Sequence, residues 1–268
     1  MIVTLLTDFG TADHFVGAVK GALLSVNPAA QVVDITHEIP PHDIEAGAFA
    51  LLAAFEAFPA GTVHVAVVDP GVGSPRRPVV ASGGEQFFVG PDNGVLGYVY
   101  ERLDGLRVFH VTNEKYFRRE VSATFHGRDV FAPVAGALSL GVEPDELGEE
   151  ITDFVRLAFA APERREDGIL VGRVIHIDRF GNCITNISPR DFVAEDVNRG
   201  ARLLVEGREV RAFRRFFADE ADAPGVPFAI WGSAGLLEIA VFLDSAARLL
   251  GVGRGGRVEI RKTVNRKS

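Results

Sequence analysis

The chain contains a single cysteine, Cys183, which excludes an intrachain disulfide framework and leads to the expectation of a reducing compartment, by default the cytoplasm. No stretch approaches the roughly 20 apolar residues that a membrane span needs. The opening Met1-Ile2-Val3-Thr4-Leu5-Leu6 lacks both the basic residues and the length of a secretion signal, so a soluble, untargeted protein with no membrane partner is expected. Positive charge is also in short supply. Lys+Arg number 28 against 36 Asp+Glu, for a net charge of -8, which argues against a nucleic-acid partner and suits a small neutral or cationic ligand. The basic exception is the tail 254–268, with Arg257, Arg261, Lys262, Arg266 and Lys267, which reads as a solvated strand and a frayed end. Metal and dinucleotide signatures are missing as well. There is no His-Glu-x-x-His and no cysteine pair, and no glycine follows Gly71-Val72-Gly73 at the spacing of a dinucleotide fingerprint.

What is present is enough apolar residue, 47% of 268, to fill one large core or two modest ones. The first half alternates strand-like runs (2–7, 31–35, 62–68, 86–89, 107–111) with helix-like segments near 15–26, 44–57, 94–103 and 130–139. The charged, proline-started stretch 160–168 reads as a linker. Beyond it come only short strand candidates: 169–177, 183–187, 202–205, 208–212, 228–231, 236–241 and 257–261. The expected architecture is an α/β N-terminal domain over 1–160 with a mostly parallel sheet, plus a smaller C-terminal all-β, barrel-like domain over 168–268.

The richest segment is Val67-Val68-Asp69-Pro70-Gly71-Val72-Gly73-Ser74-Pro75-Arg76-Arg77. A fully apolar run reads as a central parallel strand, and ligands of open α/β sheets bind at the carboxyl ends of such strands. Asp69 falls at that end, and the Pro/Gly turn can fold Arg76 back beside it. Thr7-Asp8-Phe9-Gly10 has the same construction, so Asp8 is expected on the same rim. Its two oxygens suit vicinal hydroxyls, although the same carboxylate could equally cap the next turn. Thr124-Phe125-His126-Gly127-Arg128-Asp129 opens the helix near 130 and contributes a group that exchanges protons near neutrality. Asp69, Arg76 and His126 together make a carboxylate, an orienting cation and a base without calling on a metal.

Asp8, Asp13, His14, Asp34, His37, His42 and Asp43 could be assembled into a hydrolase metal site, but none has a diagnostic spacing, and they are expected to be polar loop groups. Late in the chain, Asp178-Arg179-Phe180-Gly181-Asn182 offers an amide that can read a purine edge and a ring that can stack on it, with Phe216 and Phe217 as a second face. The same residues also make an ordinary hairpin turn. Cys183 beside them reads as a small buried hydrophobe. The turn Trp231-Gly232-Ser233-Ala234-Gly235 could hold a carboxylate on Ser233 and its flanking amides.

Taken in order, Thr7-Asp8-Phe9-Gly10, Asp69-Pro70-Gly71-Val72-Gly73 with Arg76, Phe125-His126-Gly127-Arg128-Asp129, Asp178-Arg179-Phe180-Gly181-Asn182 and Ser233-Ala234-Gly235-Leu236-Leu237-Glu238-Ile239-Ala240 run through nearly the whole chain. This set resembles the S-adenosyl-L-methionine (SAM) hydrolases, also called SAM hydroxide adenosyltransferases, which are relatives of the fluorinase and chlorinase. The resemblance implies SAM as substrate, adenosine and L-methionine as products, no cofactor and no metal. It also implies a homotrimer with sites between the N-terminal domain of one subunit and the C-terminal domain of its neighbour. Carried over by position, Asp69, Arg76 and His126 fall on the hydrolytic triad and Asp8 on the ribose-binding carboxylate. Phe180, Asn182 and Phe217 fall on adenine contacts, Asp178 and Ser233 on contacts to the methionine end, and Glu238 and Val241 on further substrate contacts. The halogenating relatives lack the carboxylate at the position of Asp69. Two positions depart from the pattern: Ala234 stands where the fluorinase has an arginine, and Phe242 where an asparagine is usual. A catalytically idle nucleoside- or SAM-binding protein and a metal-dependent phosphoesterase are the alternative functions.

Overall fold

The first strand carries five consecutive apolar or β-branched residues that are buried, and the second helix begins on an aspartate that caps it; this economy of local signals recurs along the chain. The computed structural model describes residues 1–157, 160–193, 195–198, 200–219 and 225–261. The chain divides into two compact units, Met1–Ala158 and Phe159–Ser268.

The N-terminal unit runs β1 (Ile2–Thr7), α1 (Phe15–Val26), β2 (Gln31–Thr36), α2 (Ile44–Ala54), β3 (Val63–Val67), β4 (Pro78–Gly83), β5 (Gln86–Pro91), α3 (Gly97–Tyr100), β6 (Arg107–Val111), α4 (Ala132–Leu138), α5 (Pro144–Leu147) and β7 (Gly148–Ile151). Its sheet has the order β2-β1-β3-β5-β4-β6-β7. Every residue of β3 is buried. Val63, Val65 and Val67 pack with Val19 and Leu23 of α1 and Val134 of α4, while Ala66 and Val68 pack with Leu51 of α2 and Phe88 of β5. A strand covered on both faces reads as a near-continuous apolar run, broken in β3 by the buried His64, which is why this run stands out in the sequence. α1 buries Val19, Ala22 and Leu23, spaced as one helical face requires. α2 is capped by Asp43, whose carboxylate accepts from Ala46 N at 2.9 Å.

The mostly parallel sheet expected from the sequence is corrected to a mixed one. β2, β1, β3 and β5 pair parallel, and β4, β6 and β7 antiparallel. The reason is local. Gly84 and Glu85 both take positive φ, 55° and 62°, and form the two-residue turn that closes β4 on β5 as a hairpin. β4 and β7 were missing from the sequence reading, and the helix expected over 94–103 shrinks to α3. Gly94, at φ 103°, cannot enter a right-handed helix.

The C-terminal unit contains β8 (Glu163–Arg164), β9 (Leu170–Ile177), β10 (Cys183–Thr185), α6 (Glu195–Asn198), β11 (Arg202–Val205), β12 (Arg208–Val210), β13 (Ala212–Phe213), β14 (Pro227–Trp231), β15 (Leu237–Val241), α7 (Ala246–Leu250) and β16 (Arg257–Arg261). The strands form one sheet, β12-β11-β16-β9-β10-β15-β14-β13, with β8 added against β9. All pairings are antiparallel except β13 with β14, and β12 approaches β14, so the sheet curls into a nearly closed barrel. Its interior holds Leu170, Val174, Cys183, Leu203, Ile239 and Val258, among others. Two expectations need correction. The unit is not all-β, since α6 and α7 lie within it, and part of the expected linker 160–168 is strand β8. Of the basic tail, Arg257 and Arg261 pair with Glu259 on β16, whereas Lys262, Arg266 and Lys267 lie outside the described residues. Among the described residues, no helix is long and apolar enough to cross a membrane.

Candidate active site

β3 delivers its chain to the sheet rim, where the Val68 carbonyl is held by Asn93 Nδ2 at 2.8 Å. Two consecutive turns follow. Val72 N donates to Asp69 O at 3.2 Å and Ser74 N to Gly71 O at 3.0 Å, which reverses the chain and returns Arg76 to Asp69. Gly73 is required there. It has φ 77°, and a Cβ would stand 2.3 Å from the Ala123 carbonyl oxygen. Arg76 Nε donates to Asp69 Oδ1 at 3.0 Å, and Nη2 donates to Asp69 Oδ2. Nη2 also lies 2.8 Å from His126 Nδ1. The Asp69 and Arg76 side chains are only 5% and 9% exposed. The guanidinium rests over the Phe131 ring, 5.3 Å from its centroid. Arg77, the other arginine of the pair, is structural by contrast: it binds Asp92 at 2.6 Å and Asp153 at 2.8 Å.

The 2.8 Å contact fixes a tautomer. Arginine can only donate, so His126 Nδ1 must accept and the ring proton of the neutral imidazole sits on Nε2. Burial, and then the adjacent Arg76 charge, hold His126 below its ordinary pKa, in keeping with a neutral ring. His126 heads a single π-turn, Gly127–Phe131, that leads into α4. This turn is braced by the fully buried Asp129. Burial opposes its ionisation, but Arg128 at 2.7 and 2.8 Å and Ser122 N at 3.0 Å outweigh that and keep its pKa below the ordinary carboxylate value. A Cβ at Gly127 would touch the Phe9 and Phe125 rings at 3.4 and 3.5 Å.

Asp8 arrives at the same rim on β1. Its Oδ2 accepts from His42 N at 2.9 Å, so it ties down the 40–42 turn instead of capping α1. Asp8, Phe9, Asp69, Phe125, His126 and Gly127 line a cavity of about 290 Å³. The sequence reading missed Phe131 beneath Arg76; His37, expected there as a polar loop group, is buried, with Nδ1 2.9 Å from Thr7 Oγ1. Nothing in the spacing of Phe131 distinguishes it from a core residue. Among the described residues, no group of three or more His, Cys, Asp and Glu side chains is arranged to hold a metal ion.

The remaining candidates belong to the C-terminal unit. Asp178 organises its own turn: Oδ1 accepts from Phe180 N at 2.9 Å and Asn182 N at 2.8 Å, and Oδ2 from Asn182 Nδ2 at 2.9 Å. Phe180 projects with 76% of its surface exposed, while Asn182 is buried. Gly181 has φ 83°, and a Cβ there would collide with Ser245. Phe217 is exposed and meets Phe228 edge-on at 6.1 Å. Ser233 is exposed in the turn before β15. Glu238 on β15 is buried, and desolvation followed by the Asp178 charge raises its pKa above the ordinary value. Val241 differs from the others, since its side chain belongs to the barrel core. Cys183 is also fully buried, with its thiol pushed up to about 11 by desolvation, as befits a small hydrophobe.

The model of the SAM hydroxide adenosyltransferase N-terminal domain matches residues 3–148, and that of the C-terminal domain matches 172–259. The chain belongs to the SAM hydroxide adenosyltransferase family. A relative from Methanocaldococcus jannaschii named (R)-S-adenosyl-L-methionine hydrolase is 37% identical, over 97% of this chain and 95% of that protein. One of the same name from Thermus thermophilus is 40% identical over 96% and 98%. A fluorinase from an Actinoplanes strain is 30% identical over 77% and 78%. Among solved structures, an uncharacterized conserved protein from Thermotoga maritima superposes with a TM-score of 0.89 at 36% identity, covering 98% of this chain and all of that one.

Proposed function

We infer that this member of the family hydrolyses S-adenosyl-L-methionine to adenosine and L-methionine. The observation that carries the reading is the buried Asp69–Arg76–His126 cluster at the rim cavity, in a chain whose relatives at 37–40% identity carry the hydrolase name. In the proposed reaction, water attacks the ribose C5′ in line with the sulfonium. The C5′–O bond forms as the C5′–S bond breaks, the bonding pair leaves on sulfur as a neutral thioether, and one water proton goes to the enzyme. The leaving group needs no acid, so the protein's task is to place and deprotonate water at about 3–3.5 Å from C5′.

The tautomer supports a division of roles. His126 Nδ1 is occupied by Arg76 and Nε2 carries a proton, so the ring orients the water oxygen by donating to it. Asp69, ionised and held by Arg76, is the proton acceptor. Arg76 Nη1 is buried and has no hydrogen-bond partner among the described residues, which leaves it available to stabilise developing hydroxide. Asp8 takes the ribose hydroxyls. Phe180, Asn182 and Phe217 take adenine, and Asp178, Ser233 and Glu238 the methionine end. We further propose a cytoplasmic homotrimer in which the C-terminal unit of a neighbouring copy completes each site. The heavily exposed Phe180 supports this reading, since it is an aromatic surface in want of a partner.

The test is incubation of purified protein with each epimer at the stereogenic sulfonium separately, because the relatives' name specifies the (R) configuration. Adenosine and methionine should appear in equal amounts from the (R) epimer, with chloride present or absent. Intact SAM alongside measurable binding would leave an idle binding protein instead.

A further inference from the structure

A second cavity of the N-terminal unit, of about 580 Å³, takes no part in the reaction above. Its floor is the seam between α1 and α4, where Ala18, Ala22 and Ala137 present only small apolar side chains. Its rim is cationic, with Lys115 and Arg118 from the turn after β6 and Arg128 from the π-turn. No carboxylate lines it, although the chain as a whole carries a net charge of -8.

The three cations are not equivalent. Arg128 is committed through Nε and Nη2 to the buried Asp129, so its charge is largely compensated there. Lys115 lies over the Tyr116 ring, 4.5 Å from the centroid, and keeps ammonium protons to donate. Arg118 is held by its main chain, whose N–H donates to Asp129 O at 2.8 Å, and its guanidinium has no hydrogen-bond partner among the described residues. A volume of this size suits a small organic molecule, and two separate donors of positive charge above an apolar floor suit a dianion attached to a ring or chain.

We propose that this cavity binds a small organic phosphate, with the phosphate between Lys115 and Arg118 and its apolar or aromatic body on the α1–α4 floor. The site is independent of the hydrolytic reading. The probe is phenyl phosphate, which carries no nucleoside and so does not report on the rim cavity. Titrated calorimetrically into the full-length protein, it should saturate at one site per chain. The Lys115→Ala/Arg118→Ala variant should bind at least about tenfold more weakly, the scale of one charged hydrogen bond lost. Both substituted side chains are exposed, so the variant should keep the wild-type melting temperature and SAM turnover. Inorganic phosphate should bind less tightly than phenyl phosphate. Absence of saturation, unchanged affinity in the variant, or equal affinity for inorganic phosphate (an ion site only) would each overturn the proposal.

Discussion

The two units hold their candidate carboxylates, Asp69 and Asp178, in opposite ways. Asp69 is fixed from afar: Arg76 returns across a double turn, and His126 comes from 50 residues beyond Arg76. Asp178 is fixed from next door, with the hydrogen bonds to its carboxylate coming from Phe180 and Asn182, no more than four residues away. The first arrangement exists only in the folded unit, where low exposure strengthens each charge interaction. The second is a self-contained turn that displays its aromatic to the outside. Under the proposed function, reaction chemistry belongs with the former and recognition with the latter.

The sharpest way to break this division is to neutralise the N-terminal group. Asp69→Asn keeps the shape but removes the proposed proton acceptor, and His126→Ala removes the proposed donor that orients water. Each should lower kcat by about 10² to 10⁴, the usual range for an acid-base group, while SAM still binds. Unchanged single-turnover release of adenosine by Asp69→Asn would transfer the proton to another acceptor. Because His126 sits below its ordinary pKa of 6.5 and is proposed to act as the neutral ring, the rate should fall as pH drops below that value.

A second histidine separates site from core. His64 on β3 is fully buried, stacked on Phe88 at 5.0 Å with Nδ1 2.8 Å from Thr4 Oγ1, and desolvation lowers its pKa from 6.5 to about 4. The unfolded chain therefore takes up a proton near pH 6.5 that the folded chain refuses until about pH 4. Stability is full above the unfolded value and is lost as pH falls between the two, by about 3 kcal/mol. Urea titrations across that window should show the loss in the wild type and a shallower slope in His64→Gln. Parallel slopes would mean that His64 is already protonated in the native state.

How far the sequence discloses the molecule follows the same line. β3, β1 and α1 were legible because burial on defined faces imposes a pattern that one segment carries alone. Asp69, Arg76 and Asp8 were legible because strand ends followed by glycine turns mark a rim. β4 and β7 were not, since an antiparallel strand of mixed polarity on the far half of the sheet is defined by its partners more than by its own residues. Phe131 was equally hidden, since it looks like any helix aromatic. Val241, expected as a substrate contact, has its side chain in the barrel core, since position in a motif says nothing about which way a strand residue points.

Asp8 tests the boundary between the two arrangements, being on the N-terminal rim yet assigned to binding. Asp8→Ala should raise KM about tenfold, the worth of one charged hydrogen bond to the ribose, and leave kcat within about twofold. A normal KM would reduce Asp8 to the anchor of the 40–42 turn that its bond to His42 N already makes it.

The smallest effect is expected at Asp178. Its three donors lie within one short turn, and Phe180 N, the first of them, belongs to a residue exposed to water. Asp178→Ala should therefore cost only about 1 kcal/mol of stability by urea titration. The more telling change is in Glu238, whose pKa desolvation raises first and the Asp178 charge second. With that charge gone, Glu238 should titrate lower but still above the ordinary carboxylate value, because burial remains. A shift in the pH dependence of KM with kcat unmoved would place both carboxylates on the substrate. A stability loss without that shift would make Asp178 a turn residue and nothing more.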